Sequence, residues 1–342
     1  MFRRILAAAI IVALVGVLLL AGWPQLFGLE RQTGIAQLVS LRGLAVLVAA
    51  GLVILFTLFS LMSSVARRFA GSIALVLLVF CAVTVAVLAT RGFGNPSFQT
   101  KAPADLTVLS WNTLGDAPGV EAIASLAAEV DADIVVLPET SAETAEIVAA
   151  ILTDGGHPMQ AIHLSLDDIS KARTTSLLVS VELGEYVRDD SAGTTETLPS
   201  LVARPADGSG PTIVAAHPVS PVPGEMAAWR SGLQWLADRC AGKNVIMAGD
   251  LNSTLDHYTA LGTVDPDGES GELGRCRDAA RATGNAAVGS WPTAFPPLLG
   301  APIDHVLATP DWQIVGFRVI GSSDGAGSDH RPVVAQLRPV GE

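Results

Sequence analysis

Three apolar segments near the start of the chain place the tightest constraint on its fold, because none of them contains a charged side chain. They cover residues 5–21, 43–62 and 71–89. A helix needs roughly 20 residues to cross the hydrocarbon core of a bilayer. We therefore predict three transmembrane helices at these positions and a membrane anchor over residues 1–90. Arg3 and Arg4 also suit a cleaved signal peptide, but no A-x-A-like cleavage site follows the first segment.

The arginines of the anchor predict its orientation. Arg3 and Arg4 precede the first segment, and Arg67 and Arg68 lie in the short loop between the second and the third. Both pairs are then on the same side of the membrane, which the positive-inside rule identifies as the cytoplasm. An odd number of spans places everything after residue 90 outside. We predict a multi-pass protein of the cell membrane with a cytoplasmic N-terminus and an extracytoplasmic C-terminal part.

The chain changes its charge at the end of the anchor. The first 100 residues contain seven arginines and one acidic residue, whereas the remainder carries a net charge of −18. Residues 91–104 mix Gly, Pro and polar residues without periodicity, which predicts a linker. Residues 105–342 are long enough for one domain with a full core. Stable binding of duplex DNA is not expected, because the negatively charged DNA backbone binds basic surfaces and this part of the chain has a net negative charge.

The outer part alternates short apolar runs with stretches of helical periodicity, which is typical of an α/β (α+β) domain. The predicted strands are residues 106–110, 134–137, 176–181, 212–216, 245–248, 306–308, 313–319 and 333–337. The predicted helices are residues 120–129, 142–152 and 225–239.

Unusual polar side chains stand where the apolar runs meet loops. They are Asn112, Glu139, His217, Asp250, Asn252, Asp304, Asp329 and His330. Each of them alone suits a turn, a helix cap or a surface position. Together they share no structural reason to recur at strand ends, whereas strand ends at one edge of a rigid domain can hold polar groups in a common site. We therefore predict one site built from all eight residues.

The residue types of this set predict metal-assisted chemistry on phosphate. Mg²⁺ takes oxygen ligands and commonly uses one or two carboxylates. Glu139 and Asn112 could provide such a site for Mg²⁺ (or Mn²⁺). A carboxylate such as Asp250 could orient or deprotonate a water molecule.

The remaining residues would handle protons and phosphoryl oxygens. His330, paired with Asp304 or Asp329, could move a proton or donate a hydrogen bond to a developing oxyanion. His217 and Asn252 would add donors to the phosphoryl oxygens. The sequence contains neither a G-x-x-x-x-G-K-[ST] loop nor an H-E-x-x-H motif. This argues against a nucleoside-triphosphatase of that type and against a zincin.

The ordered motifs resemble those of a known superfamily. In sequence they are SWNTLG, VVLPET, AAHP, MAGDLNS, PIDHVLA and SDHRPV. They are similar to the successive motifs of the endonuclease/exonuclease/phosphatase superfamily, which includes pancreatic-type deoxyribonucleases, apurinic-site endonucleases, neutral sphingomyelinases and inositol polyphosphate 5-phosphatases. The resemblance covers about residues 106–337, and GDLN and SDH are its most specific elements. It implies a four-layer α/β/β/α sandwich with a divalent-metal phosphoesterase site at the strand ends.

The resemblance also implies a division of roles. By motif, Asn112 and Glu139 correspond to Mg²⁺ ligands, and Asp329 would lie near the metal. Asp250 corresponds to the residue that positions the nucleophilic water.

The other motif residues correspond to groups that act on the phosphate. Asn252 and His217 would bind it, and His330 would be the histidine of the family, oriented by Asp304. The motifs depart from the common pattern at three places. PET replaces a glutamine-glutamate pair, AAHP replaces a threonine-histidine pair, and Pro302 stands where an arginine often lies. None of these changes removes a residue of the predicted set.

The cysteines carry a separate prediction. Cys240 and Cys276 both lie in the part predicted to be exported, where disulfides persist. We predict that they pair. Cys81 lies within the third apolar segment and is interpreted as a small buried apolar residue.

The sequence thus predicts a membrane-anchored, Mg²⁺-dependent phosphodiesterase or phosphatase that acts outside the cytoplasm. Its substrate would be a phosphate ester of a lipid head group, a nucleotide or a nucleic acid. One alternative is an extracellular nuclease, and another is a non-catalytic binding module on the same fold. A transporter is disfavoured, because the spans lack the charged or strongly polar residues that mark a pathway.

Overall fold

The computed structural model describes residues 1–64, 67–167, 169–264 and 270–341. It begins with three long apolar helices, each of sufficient length and hydropathy to cross a membrane. They are α1 (Phe2–Gly22), α3 (Arg42–Met62) and α4 (Arg67–Arg91), with the short helix α2 (Ile35–Ser40) between the first two. Ala49 of α3 packs against Ile73 and Leu77 of α4. The three predicted membrane helices are confirmed as helices, and α1 and α4 extend several residues beyond the apolar segments, whereas α3 begins one residue earlier.

Two six-stranded sheets follow, both with parallel and antiparallel pairs. The first has the strand order β11-β12-β1-β2-β4-β3, and the second has the order β5-β6-β7-β8-β10-β9. The strands are β1 (Leu106–Ser110), β2 (Ile134–Pro138), β3 (Met159–Ser165), β4 (Thr174–Ser180), β5 (Tyr186–Arg188), β6 (Leu201–Pro205), β7 (Thr212–Ala216), β8 (Val245–Asp250), β9 (Arg277–Asp278), β10 (Asp304–Ala308), β11 (Trp312–Val319) and β12 (Val333–Pro339).

Three helices of the C-terminal part cover the outer faces of the two sheets. They are α5 (Val120–Glu129), α6 (Ala142–Asp154) and α7 (Met226–Arg239), whereas the short α8 (Ala279–Ala282) packs with Ala279 and Ala280 in the core between the sheets. Val108 of β1 packs toward Ile213 of β7 between the sheets, whereas its neighbour Leu109 faces Ile123 of α5. This alternation follows from the two-residue period of a strand. On the other side, Trp229 of α7 packs on the second sheet. The predicted four-layer α/β/β/α sandwich is confirmed.

A single glycine allows two site-bearing strands to lie side by side. Gly249 precedes Asp250 at the end of β8, and its register partner is Ala216 at the end of β7. A Cβ at residue 249 would overlap the carbonyl of Ala216. The backbone there also has φ +150°, which L-residues rarely adopt. Glycine in the GDLN motif therefore serves the close approach of β7 and β8, which carries His217 next to Asp250.

The cysteine prediction is confirmed. Cys240, at the end of α7, forms a disulfide with Cys276, just before β9. Both side chains are fully buried. The bond joins the outer helix to the edge of the second sheet.

The anchor contacts the C-terminal domain through a buried carboxylate. Asp256, in the loop after β8, accepts hydrogen bonds of 2.7–2.9 Å from the guanidinium groups of Arg42 and Arg91. Gln25 donates to the same residue. The following residue, His257, contacts the carbonyl of Ala36 in α2 at 3.2 Å. The ends of all three apolar helices therefore converge on the loop that continues from Asp250.

The segment between anchor and domain, residues 92–105, contains no helix or strand. It nevertheless makes specific contacts. The amide of Gly94 donates to the carbonyl of Gly284, and the amide of Gln99 donates to that of Val315. The ring of Phe98 lies against Gly316, where a Cβ would overlap it.

Candidate functional site

The eight polar residues predicted from the sequence come together at one edge of the sandwich. Asn112 follows β1, Glu139 follows β2, and His217 follows β7. Asp250 is the last residue of β8 and faces Asp304, the first residue of β10, as its register partner.

The other three residues also lie at this edge. They are Asn252, just after β8, and Asp329 and His330, shortly before β12. Both sheets therefore contribute to the site. A chain of contacts no longer than 4.0 Å connects the eight side chains.

The amide of Asn112 links two carboxylates. Its Nδ2 donates to Glu139 Oε1 at 2.9 Å and to Asp250 Oδ2 at 3.1 Å. Its Oδ1 accepts from the amide of Leu114 in the orientation shown. Asn252 holds Asp250 from the other side, since its backbone amide donates to Oδ1 and its Nδ2 donates to Oδ2. The Asp250 carboxylate is thus fixed by two asparagines.

His330 lies among three carboxylates. Its Nδ1 is 2.9 Å from Asp304 Oδ2, a hydrogen bond that orients the ring. Its Nε2 is 3.8 Å from Asp250 Oδ2 and 4.0 Å from Asp329 Oδ1. Because Nδ1 is held by Asp304, Nε2 is the ring nitrogen that faces the site. The residue types left Asp304 and Asp329 as alternative partners, the family resemblance implied Asp304, and the shorter contact is indeed with Asp304.

His217 is fully buried on the opposite side of the site. Its Nδ1 is 3.4 Å from Thr175 Oγ1, and its Nε2 is 3.8 Å from Glu139 Oε1, too far for a hydrogen bond. The buried Nε2 has no hydrogen-bond partner. Since buried polar atoms are nearly always paired, this atom marks a position where a ligand atom would be bound.

Two of the site residues have a left-handed backbone. Glu139 has φ +54° and Asn252 has φ +46°. Such conformations cost free energy for non-glycine residues and occur preferentially at functional sites. In this chain they turn the backbone at the ends of β2 and β8, where both side chains contact Asn112 or Asp250.

Burial and mutual charge shift the pKa values of the site. Burial raises the pKa of Asp250 to about 7, and it also raises the pKa of Glu139. For His330, burial alone would lower the pKa, but the carboxylates of Asp304 and Asp250 outweigh it and raise the pKa to about 10. Burial lowers the pKa of His217 to about 3. At neutral pH His330 is therefore the cation of the cluster and His217 is neutral.

The donor set fits a divalent cation. One ligand atom from each of Asp250, Asp304 and His330 lies within 4.8 Å of the others among the residues described. Asp304 Oδ1 and Asp329 Oδ1 are buried without hydrogen-bond partners. Carboxylates outnumber imidazoles, and carboxylate oxygens are what Mg²⁺ prefers. The carboxylate oxygens of this centre are therefore the donors that best suit such a cation.

Several supporting residues escaped the sequence analysis. Trp291 Nε1 donates to Asp329 Oδ2 at 2.8 Å, and Ser290 Oγ accepts from the amide of Asp304. Ser328 Oγ donates to the carbonyl of Asn112 and accepts from the amide of His330. In the sequence these residues are distant from their partners or are ordinary turn residues. No local pattern distinguishes them.

Comparisons with known proteins agree with this geometry. Residues 109–330 match the Endonuclease/Exonuclease/phosphatase family. No curated protein matches the chain. Among solved structures, TDP2 of D. rerio, humanized by 14 mutations, is 17% identical with a TM-score of 0.51, and 69% of this chain aligns to 99% of that one. The same values hold for D. rerio TDP2 in complex with a single strand DNA product.

A bacterial structure is also similar. It is an endonuclease/exonuclease/phosphatase from Beutenbergia cavernae DSM 12333, which is 21% identical with a TM-score of 0.49, and 70% of this chain aligns to 72% of that one. The sequence match spans most of both sheets and the residues from Asn112 to His330. The chain therefore belongs to the endonuclease/exonuclease/phosphatase family.

Proposed function

We propose that this protein is a membrane-anchored, divalent-metal-dependent phosphoesterase that hydrolyses a phosphate ester outside the cytoplasm. Membership of a family of metal-dependent phosphoesterases supports the reaction class. The single observation that carries the proposal is the buried cluster in which Asp250 faces the imidazole of His330, itself oriented by Asp304. A binding module without catalysis would have no need to keep this arrangement buried and paired.

The chain's own residues divide the work as follows. Asp250, held by the backbone amide and the side chain of Asn252, accepts a hydrogen bond from the attacking water and takes its proton. His330 donates from Nε2 to an oxygen of the phosphate, while Asp304 holds Nδ1. Asp250 and Asp304 are buried, so the surrounding protein shields these two carboxylates from bulk water.

The unpaired Nε2 of His217 would bind a phosphoryl oxygen. The side-chain amide of Asn252 donates to the carbonyl of Pro218 and to Asp250, so it would bind a second phosphoryl oxygen only after releasing Pro218.

Glu139, Asp329 and Asn112 are the residues that we assign to a divalent cation, Mg²⁺ or Mn²⁺. Asn112 would present Oδ1 to the cation after its amide turns by 180°. Such a cation, when bound, polarises the phosphate ester and neutralises its charge.

The division of the chain supports an anchored enzyme. We assign residues 1–90 to the anchor, residues 91–104 to a linker and residues 105–342 to the catalytic domain. Arg3, Arg4, Arg67 and Arg68 favour a cytoplasmic N-terminus under the positive-inside rule, and the disulfide suits an oxidising compartment. Alkaline phosphatase fused after residue 342 is expected to be active. An inactive fusion of normal abundance would contradict this orientation.

Removal of divalent cations is expected to abolish turnover. The full-length protein in detergent would be assayed on bis(p-nitrophenyl) phosphate and p-nitrophenyl phosphate with Mg²⁺, with Mn²⁺ and with EDTA. Activity should disappear with EDTA and return with excess Mg²⁺ or Mn²⁺, because the oxygen donors of Glu139 and Asp329 suit these cations. Equal rates of hydrolysis with and without EDTA would show that the activity does not depend on a metal and would contradict the proposal.

A nuclease is the second candidate. D. rerio TDP2, which shares the fold, has been solved with a single strand DNA product. The net charge of −18 after residue 100 weakens this candidate, because nucleic acid binding relies on cationic surfaces. A single-stranded oligonucleotide added to the same assay tests it directly.

A further inference from the structure

A loop beside the site reaches from the cluster to the membrane anchor. Residues 291–301 form this loop, here named the site hairpin. Its two ends are joined by backbone hydrogen bonds between Trp291 and Ala301. At this closed end, the Trp291 indole donates to Asp329 of the site at 2.8 Å.

The tip of the site hairpin touches the anchor where the second span begins. A Cβ at Gly43, the second residue of α3, would overlap the carbonyl of Leu298. Leu298 and Gly300 also line a small cavity together with Arg42 and Arg91. Residues 291–298 can cover at most about 25 Å when fully extended. Asp329, which the Trp291 side chain contacts, therefore lies no farther than about 25 Å plus the length of one side chain from the start of the second span.

A buried arginine holds the site hairpin in shape. Arg331, adjacent to His330, is almost completely buried. Its guanidinium donates to the carbonyls of Pro292, Thr293 and Phe295. The amide of Thr293 in turn donates to the carbonyl of Asp329. The site hairpin is thus fixed to the chain segment that carries the catalytic histidine.

The tip presents exposed apolar side chains beside the start of α3. Phe295 is 39% exposed and Leu298 is 46% exposed. Trp23, Leu26 and Phe27, which follow α1, are exposed as well. Gln25, within this segment, donates to Asp256, so that it lies at the same end of the anchor. Apolar and aromatic side chains that ring the end of a span are typical of residues in the bilayer interface.

We propose that the tip of the site hairpin lies in the outer surface of the bilayer and that the substrate is a lipid phosphate ester of the same membrane. This inference rests on the proposed function and names its substrate class. The apolar part of such a substrate stays in the bilayer beside Phe295 and Leu298, while its phosphate reaches Asp250 and His330. The anchor then keeps the site at a constant height above the lipid.

The charge of the site hairpin favours lipid over nucleic acid. Residues 291–301 contain no charged side chain. The guanidinium of Arg331 is turned inward, where it binds backbone carbonyls and Asp324. A nucleic acid that lay along this loop would meet no cationic side chain of residues 291–301 for its backbone phosphates.

The test uses the full-length protein in vesicles of phosphatidylcholine, phosphatidylglycerol and cardiolipin, with bis(p-nitrophenyl) phosphate and a single-stranded oligonucleotide as soluble substrates. Release of water-soluble phosphate compounds from the lipid is expected. The double substitution Phe295→Ser and Leu298→Ser should lower the lipid rate about tenfold, because two apolar side chains lose their lipid contact. Its rate on the soluble diester should stay within about twofold.

The matched control is Val187→Ser. Val187 is 47% exposed and lies on β5, at the edge of the second sheet opposite β9. It should leave both rates within about twofold of the starting protein. If the protein hydrolyses the soluble diester but none of the three phospholipids, the lipid proposal is wrong and the phosphoesterase proposal stands. The same holds if the oligonucleotide is turned over in place of lipid. No turnover of any substrate refutes the proposed function itself.

Lipid contact has a readout that does not depend on activity. Cys81 is replaced by alanine, and a fluorescent label is attached to Phe295→Cys or, as a control, to Val187→Cys. Brominated phosphatidylcholine should quench the label at residue 295 and not the label at residue 187. Equal quenching at both positions overturns the placement of the site hairpin in the bilayer surface.

Discussion

Replacement of His330 by alanine is expected to lower kcat on a phosphate diester by about 10²- to 10⁴-fold, the range that positioned proton donors contribute. His330 is the cation of the cluster, and its Nε2 faces the site because Asp304 holds Nδ1. Asp250→Asn should cause a loss of the same order, because the amide keeps the shape of the side chain but cannot take a proton. Both effects are measured as kcat and KM on bis(p-nitrophenyl) phosphate.

The control for these variants is His163→Ala. His163 lies on the edge strand β3, at the far side of the first sheet, and its side chain is partly exposed. Its kcat should stay within about twofold of the unmodified protein. The thermal unfolding of all three variants shows whether they fold. A folded His330→Ala or Asp250→Asn protein with undiminished kcat would mean that the cluster is not the catalytic centre.

Replacement of Asp256 by asparagine is expected to lower the free energy of unfolding by about 3–5 kcal/mol, the usual cost of removing one partner of a buried ion pair. Asp256 is buried between the guanidinium groups of Arg42 and Arg91. Burial raises the pKa of this carboxyl, but the two arginines outweigh it and hold the pKa far below its usual range. Asparagine would leave two buried cations without a counter-charge. Denaturant or thermal unfolding in detergent measures the change.

Asp131→Asn is the matched control. Asp131 pairs with Lys101 at 2.7 Å, but this carboxylate is largely exposed to solvent. Such surface pairs contribute only about 0–1 kcal/mol. Equal losses of stability for Asp256→Asn and Asp131→Asn would show that the anchor does not depend on the buried pair for its docking.

The Asp256 contacts make the anchor part of the packing that holds the C-terminal domain together. Without residues 1–91, Asp256 would lose both arginines and His257 would lose its contact with Ala36. The same loop continues from Asp250 and Asn252, which belong to the site. For this reason the assays above use the full-length protein.

The local patterns of the sequence predicted most of the regular structure. Strands β1 and β7 and helix α5 have the predicted bounds, because each is a continuous apolar run or an amphipathic period between clear turn residues. Strands β3, β5, β6 and β9 were not predicted, and neither was α2. Strand β3 lies at a sheet edge and is only partly buried, and β9 has two residues. Edge strands of this kind lack the apolar pattern that identifies buried strands.

The membership of the site was predictable and its internal geometry was not. Strand ends gather at one edge of a sandwich, so polar residues after β1, β2, β7 and β8 had to lie close together. The residue types alone did not decide that Asp304 rather than Asp329 would hold His330 at the shorter distance, and only the family resemblance implied it. That choice depends on the register of β10 against β8, which places Asp304 opposite Asp250. The hydrogen bond from Trp291 to Asp329 was not predicted either, because the two residues are far apart in the sequence and meet only in the folded chain.

The sequence by itself determined the kinds of structure in this chain, because hydrophobicity and periodicity are local properties. It determined three apolar helices, an α/β domain and a set of carboxylates, amides and imidazoles suited to a metal-dependent phosphoesterase. The sandwich arrangement was implied only by the family resemblance. Only the tertiary structure decided how these parts meet. The docking of Arg42 and Arg91 on Asp256, and the site hairpin between Asp329 and Gly43, join residues that are far apart in the chain. Such contacts depend on packing, which no local pattern records.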